Sequence, residues 1–385
     1  MSLLRSLMRA IALGFQNRPR WLLVATGGVF CHLQQSYYRH FCLHCQPYSV
    51  IFVDRTSDVI YVTIRLYVGY YGQNSDVWLE AGMTIREYEK SHQWLTFSGD
   101  AMQKAKPELW MTLGECQSKC EHLSKYPLRP DVAENIHRMY MAKGVLATTA
   151  MEGNTLSEAE VRKLLDGELE LPPSREYLAR EVQNIVDECN RILMRASSGQ
   201  EVALSTDRIK EINKTVLAGL QLEEHVQPGV IRTYEVGVGL YKAAPPDECE
   251  FLLDKMCQWL ADPKYFGGDD DPRSMVFGII KAILAHLYLA WIHPFGDGNG
   301  RTARLIEFQI LIAARVPSPA AHLLSNHYYR TRSDYYKQLH FASVGGGDVL
   351  PFITYAVRGF LDGLREQIEE VKKQVIDVVW SKVSE

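Results

Sequence analysis

Apolar residues recur at helical spacing through most of the chain. Across residues 131–152 they fall at Val132, Ile136, Met139, Tyr140, Val145 and Leu146, which predicts an amphipathic helix stopped by Gly153 and Asn154. Ser157, followed three residues later by Glu160, reads as a capping box that opens the next helix, and Leu171-Pro172-Pro173-Ser174 breaks it. The helical pattern resumes over 175–194, pauses at Ser197-Ser198-Gly199 and returns over 207–220. Residues 275–292 carry apolar side chains on nearly every face, as a buried central helix does. Further helices are predicted over 299–315, 335–343 and 350–379. Two regions depart from this. Over 229–242, Val236, Val238 and Leu240 alternate with Gly237 and Gly239 before Pro245-Pro246, predicting a small hairpin or extended flap. Residues 48–53 and 59–71 are rich in β-branched and aromatic residues and suggest a short hairpin. The expected fold class is mainly α, helical from Met83 onward, with a small β-hairpin flap.

Composition narrows the class. With 46% apolar and 23% charged residues in 385, the chain reads as a globular protein of more than one structural unit, neither disordered nor membrane-embedded. A net charge of −4 gives no general footprint for nucleic acid, so neither a nucleic-acid nor a membrane partner is expected. The eight cysteines are scattered, and Cys42–Cys45 has no second CxxC pair to complete a zinc set. That pattern fits a reducing, cytoplasmic location.

The beginning of the chain differs from the rest. Arg5, Arg9, Arg18, Arg20 and Arg39 precede the first acid, Asp54. The apolar run at 21–31 is shorter than the roughly 20 residues that span a bilayer. Targeting, a poorly folded extension and spurious upstream translation all fit such a segment. The organisation read from the sequence is an extension over 1–82, a helical region over 83–200, a catalytic core over 201–360 and a C-terminal helix over 361–385.

The chemistry concentrates at His293-Pro294-Phe295-Gly296-Asp297-Gly298-Asn299-Gly300-Arg301-Thr302-Ala303-Arg304. Pro294 disfavours helix at His293, so the central helix should end there. The glycines allow a tight turn, and the next helix aims its unpaired N–H groups at the loop, making an anion site. Arg301 and Arg304, three apart, share a helix face and offer forked donors suited to phosphate. Asp297 supplies a hard oxygen ligand for Mg²⁺, and His293 can accept a proton near neutral pH. A helix-end histidine, a glycine turn or an arginine pair each has an ordinary structural explanation. All of them within twelve residues exceed what a turn requires.

This stretch resembles, position for position, the HxFx(D/E)GNGRxxR signature of the Fic (Fido) family of protein AMP transferases. Three further features extend the resemblance from about Met83 to the C-terminus. Thr148-Thr149-Ala150-Met151-Glu152-Gly153 is similar to the family's (S/T)xxxE(G/N) inhibitory motif. Gly239 with Pro245-Pro246 is placed like its target-holding flap, and Tyr335-Tyr336 followed by Gly347-Asp348 like the helix bordering the adenine pocket. The resemblance implies a Fic-type helical core and an AMP transferase that uses ATP and Mg²⁺. His293 would be the general base and Asp297 the metal ligand. Gly298, Asn299, Gly300, Arg301, Thr302, Ala303 and Arg304 would hold the phosphates. Val238, Gly239, Leu240 and Tyr241 would line the nucleotide site, with Tyr335 and Tyr336 near adenine. Ser343 stands where some relatives carry Asn. Thr148, Glu152 and Gly153 would form the inhibitory element. The implied partner is a target protein with a Tyr, Thr or Ser hydroxyl, held at the flap. Self-modification, a homodimer, removal of AMP with Glu152 aligning water, and nucleotide binding without turnover stay open.

Overall fold

The computed structural model describes five strands within residues 20–84 and residues 86–383, except 200–202, 239–240 and 269–270. The basic residues Arg5, Arg9, Arg18 and Arg39 and the Cys42–Cys45 pair lie outside the described residues. The chain divides into two compact units, Met1–Lys90 and Ser91–Glu385.

The first unit holds an antiparallel sheet of β1 (Arg20–Thr26), β2 (Val29–Leu33), β3 (Ser49–Thr56), β4 (Val59–Tyr70) and β5 (Gln73–Thr84), in the order β2-β1-β3-β4-β5. The hairpin anticipated around residues 54–58 is the β3–β4 pair, in which Val53 faces Val62. Met83, where helical character was expected to begin, pairs with Ile60 in β5, and the compact unit ends only at Lys90.

The second unit is helical, in line with the mainly α expectation. Its longer helices are α1 (Pro107–Lys125), α2 (Pro130–Ala150), α3 (Glu158–Leu165), α4 (Glu176–Ser197), α5 (Thr206–Val216), α6 (Cys249–Ala261), α7 (Ser274–Ile292), α8 (Asn299–Ala313), α9 (Leu323–Arg330), α10 (Arg332–Val344) and α11 (Leu350–Val383). A two-stranded flap, β6 (Gly237–Val238) and β7 (Tyr241–Lys242), interrupts the series. The capping box at the start of α3 is formed in both directions between Ser157 and Glu160.

Helix α7 is the axis of this unit. Its mean hydropathy of 1.9 would suit a membrane span by composition, but protein encloses it. Ile279, Ile280, Ile283, Ala285, Leu287 and Leu289 have no exposed surface. Helix α8 packs back along α7, α4 and α5 pack on α8, and α2 packs on α3, α4 and α9. Helix α11 closes the core against α1 and α9 and runs unbroken through residue 361, with Phe360 and Leu364 fully buried. The expected division there therefore falls inside one helix and one core. These contacts place the end of α7, the start of α8 and the end of α2 around one point.

Candidate active site

Helix α7 ends at Ile292, and His293 takes a left-handed conformation, φ 48° and ψ 60°, ahead of Pro294. Gly298 turns the chain again with φ 76° and opens α8. Between them the loop is folded on its own side chains. Asn299 is buried, accepts from the Phe295 N–H at 3.0 Å and donates to the Phe295 carbonyl at 2.8 Å. Asn213 on α5 donates to the Asp297 carbonyl at 3.0 Å and to the Thr302 hydroxyl at 3.2 Å. The sequence placed Asn299, Thr302 and Ala303 among ligand-facing residues. The side chains of Asn299 and Thr302 are engaged in shaping the turn, and Thr302 and Ala303 are fully buried. Besides the half-exposed Asp297 side chain, what this loop leaves unpaired is backbone. The first helical bond of this end runs from the Thr302 N–H to the Gly298 carbonyl, so the amides of 299–301 have no partner within the helix. No side chain caps them.

The loop also rests on a residue the sequence reading did not single out. Arg232, 4% exposed, donates through Nε to the His293 carbonyl at 2.8 Å and through Nη1 to the Tyr234 carbonyl at 2.6 Å. Its Nη2 reaches the Ala244 carbonyl at 2.5 Å and that of Ile292 at 3.4 Å. The backbone of Arg232 donates to Pro294, and Ile231 bridges Phe295. One guanidinium thus ties the α7 terminus to the base of the flap. The flap is anchored a second time by Tyr241, whose hydroxyl donates to the Trp291 carbonyl at 2.8 Å. Gly239, Leu240 and the side chain of Val238 lie outside the described residues.

The charged groups form two clamps. Arg301 donates through Nη2 to Asp297 at 2.9 Å and through Nη1 to Glu181 on α4. Arg304 donates through Nη2 to the Thr148 carbonyl at 2.9 Å and to Glu152 Oε1 at 2.5 Å. Both arginines are buried, and in each the Nε has no hydrogen-bond partner. Glu152 lies just past the end of α2, in the turn that Gly153 closes at φ 99°. Its carboxylate sits against Gly300, where a side-chain carbon would run into Glu152 Oε1. The space over the α8 start is therefore taken by a carboxylate from α2.

Burial pushes the Glu152 carboxyl up, but Arg304, with Arg301 and His293 behind it, outweighs that and holds it below its ordinary value. Burial, and then the nearby Arg232, push His293 down to about 4, against the opposing Ala290 backbone bond, Glu152 and Asp297. At neutral pH the imidazole is uncharged and can take a proton. Asp297 is 46% exposed at its side chain. Its Oδ1 accepts from Gly298 N–H and Arg301. Among the described residues no cluster of three or more His, Cys, Asp or Glu could hold a metal by itself. One exposed carboxylate fits Mg²⁺ only where phosphate and water complete the shell.

Of the aromatic pair, Tyr335 is buried with its hydroxyl 2.9 Å from His286 Nε2, while Tyr336 is 44% exposed. Tyr335 lies in the field of both Arg304 and Glu152. Ser343 is buried and donates to the His340 carbonyl at 2.8 Å. His286, which meets Tyr335, and Glu307, which accepts from Tyr328 at 2.8 Å and lies 3.5 Å from His286 Nδ1, sit within the expected helices without any local signal of that role.

Residues 203–311 match the Fic/DOC family. Protein adenylyltransferase fic-1 of Caenorhabditis briggsae is 30% identical over 235 residues, 61% of this chain and 43% of its own length. Protein adenylyltransferase Fic of Nematostella vectensis is 29% identical over 214 residues, 55% of this chain and 45% of its own. The chain thus spans less than half the length of these curated relatives. Among solved structures, a Fic family protein from Desulfovibrio desulfuricans G20 superposes with a TM-score of 0.56 at 20% identity, covering 69% of this chain and 76% of that one. Residues 134–508 of Fic-1 from C. elegans give 0.53 at 25% identity, covering 69% and 73%. These likenesses agree with the helical core described above.

Proposed function

We propose, from the match of residues 203–311 to the Fic/DOC family, that the protein transfers AMP from ATP to a hydroxyl side chain of a target protein, and that Glu152 restrains the reaction. The observation that carries this reading is the pairing of Arg304 with Glu152 over Gly300, beside an uncharged His293. A helix start with free amides and two buried arginines is an anion site, and a carboxylate from the same chain already sits in it. In this reading the phosphates of ATP lie over Gly298, Asn299 and Gly300. Arg301 and Arg304 offer their unused Nε groups to them, and Asp297 helps hold Mg²⁺ on the phosphates. The metal supplies charge neutralisation and orientation of the triphosphate.

His293 takes the proton of the attacking hydroxyl, and the hydroxyl oxygen bonds to the α-phosphorus as the bond to pyrophosphate breaks. The departing negative charge falls on the arginine side. With Glu152 on Arg304, the γ-phosphate lacks its guanidinium and ATP sits in a pose unsuited to attack. The flap presents a target backbone as an added strand, which leaves target side-chain choice loose. The adenine-side roles of Val238, Gly239, Leu240, Tyr241, Tyr335 and Tyr336, self-modification and a homodimer belong to the same proposal and follow from family likeness.

A second reading uses the same groups in reverse. Glu152 is ionised above its lowered pKa and lies in the field of His293, so it could align a water for AMP removal. Both readings are tested by initial labelling from α-labelled ATP with parent, Glu152→Gly and His293→Ala, folding being checked by circular dichroism. The expected result is a rise with Glu152→Gly and a fall of about 10²–10⁴-fold with His293→Ala in that background. Unchanged labelling in a folded Glu152→Gly protein would sink the restraint. Release of AMP from a premodified target by the parent, lost in Glu152→Gly, would favour the reverse reaction.

A further inference from the structure

Glu181 belongs to neither the 293–304 loop nor the α2 turn, yet it touches both. It projects from α4 and is 8% exposed. Its Oε1 accepts from Arg301 Nη1, and its Oε2 accepts from Asn154 Nδ2 at 2.8 Å. Asn154 in turn is fully committed. The same Nδ2 donates to the Leu178 carbonyl at 3.0 Å, and Oδ1 accepts from the Leu156 N–H at 3.0 Å. Asn154 lies two residues after Glu152, across the left-handed Gly153. Its amide therefore fastens to α4 the turn that aims Glu152 at Arg304. A continuous path runs from Arg301 through Glu181 and Asn154 to the turn carrying Glu152, so the two clamps on the two arginines are one assembly.

We propose that Glu181 is a positioning residue that couples Arg301 to the inhibitory turn, so that the hold of Glu152 on Arg304 depends on Glu181. The chemistry is specific to a carboxylate. Two donors converge on it, one at each of its two acceptor oxygens. A glutamine of the same shape has only one acceptor oxygen, so it can satisfy Arg301 or Asn154 but not both. Loss of either bond leaves the turn that carries Glu152 less firmly held to α4, and the hold of Glu152 on Arg304 weakens with it. The inference rests on the restraint proposed above, and its test separates the two.

The test is a cycle of Glu181→Gln, Glu152→Gly and the double variant, with Asn154→Ala as a second way to cut the path without touching Arg301. Two readouts are used: AMP labelling from α-labelled ATP, and hydrogen exchange of the Gly153 and Asn154 amides without nucleotide. The coupling predicts that Glu181→Gln and Asn154→Ala each raise labelling about fivefold or more in the parent and add nothing beside Glu152→Gly. Both also speed exchange at Gly153 and Asn154. A fall in labelling by the same factor in both backgrounds would make Glu181 only a support for Arg301 and overturn the proposal. So would an equal rise in both, or unchanged exchange in both folded variants. If Glu152→Gly itself fails to raise labelling, the restraint is what has failed, and the exchange result decides the coupling alone.

Discussion

His293 is defined by what surrounds it. Burial and the guanidinium of Arg232 outweigh the acids nearby and bring its pKa to about 4. A histidine so depressed is uncharged across the neutral range, which suits a proton acceptor, but is intrinsically a weak base. The charge of a triphosphate bound as proposed would oppose the field of Arg232 and raise it. In the nucleotide-free protein, the His293 resonance should titrate well below the ordinary histidine value of about 6.5. NMR titration checks this, with the resonance identified by its absence in His293→Ala, and a midpoint at or above 6.5 would show that the ring is not held in the buried field described. Sequence alone could name His293, because Pro294 beside it announces the helix end. It could not give the pKa, because that comes from burial made by the fold and then from Arg232, 61 positions away.

At the scale of elements, the site is an intersection of chain ends. The end of α7, the start of α8, the turn after α2 and the base of the flap meet there, and Arg232 bonds carbonyls from two of them. Lysine keeps the charge at 232 but has one ammonium, which cannot span carbonyls lying in different directions. Arg232→Lys should lower stability by about 2 kcal/mol or more, through carbonyls left unpaired in the interior. Urea unfolding of the two proteins measures it, and coincident midpoints would mean that the carbonyls find other partners.

Many of the helices were legible, although α1, α6 and α9 fell only under the general expectation of helix beyond Met83. The α3 capping box, the apolar α7 and the Gly153 stop appear as written in local sequence. The supports were not. Arg232 looks like a solvated charge in a flap, and Glu181 like the polar face of an amphipathic helix. Each gains its role from a partner brought in by packing. The five-stranded sheet was only partly legible, since the pairing that joins β1 to β3 is set across a long stretch of chain.

For the molecule as a whole, the buried histidines set how stability responds to acid. His322 is stacked on Phe308 with ring centres 4.5 Å apart, and burial, followed by nearby His137, pushes its pKa down to about 3. Its folded pKa lies below its unfolded one. Between the two, the unfolded chain therefore binds a proton that the folded chain does not. The stability it permits is complete above about 6.5 and falls with pH by about 1.4 kcal/mol per unit until about 3. The Glu152–Arg304 pair acts in the same direction. Its carboxyl is held below the ordinary 4.5, so its contribution is present above that value and lost as pH falls through the folded pKa. Stability from urea unfolding should drop by about 2 kcal/mol from His322 alone between about pH 7 and pH 5. His322→Phe should flatten that slope, and identical slopes for the two proteins would remove His322 as its source.

The left-handed turn at His293 has a historical consequence. Side chains with a β-carbon adopt that conformation at a cost of roughly 1–2 kcal/mol, while glycine and asparagine enter it easily. Folding alone would thus favour glycine most at 293, and histidine stands there at some cost to the backbone. Under the role proposed for His293, selection for durability and selection for chemistry would pull that single codon in opposite directions among descendants of this chain. A lineage released from the chemistry would be expected to forfeit its histidine early, while keeping the glycines and the buried Asn299 that the turn itself demands. The residue at this position is then a marker of which pressure a descendant has lived under.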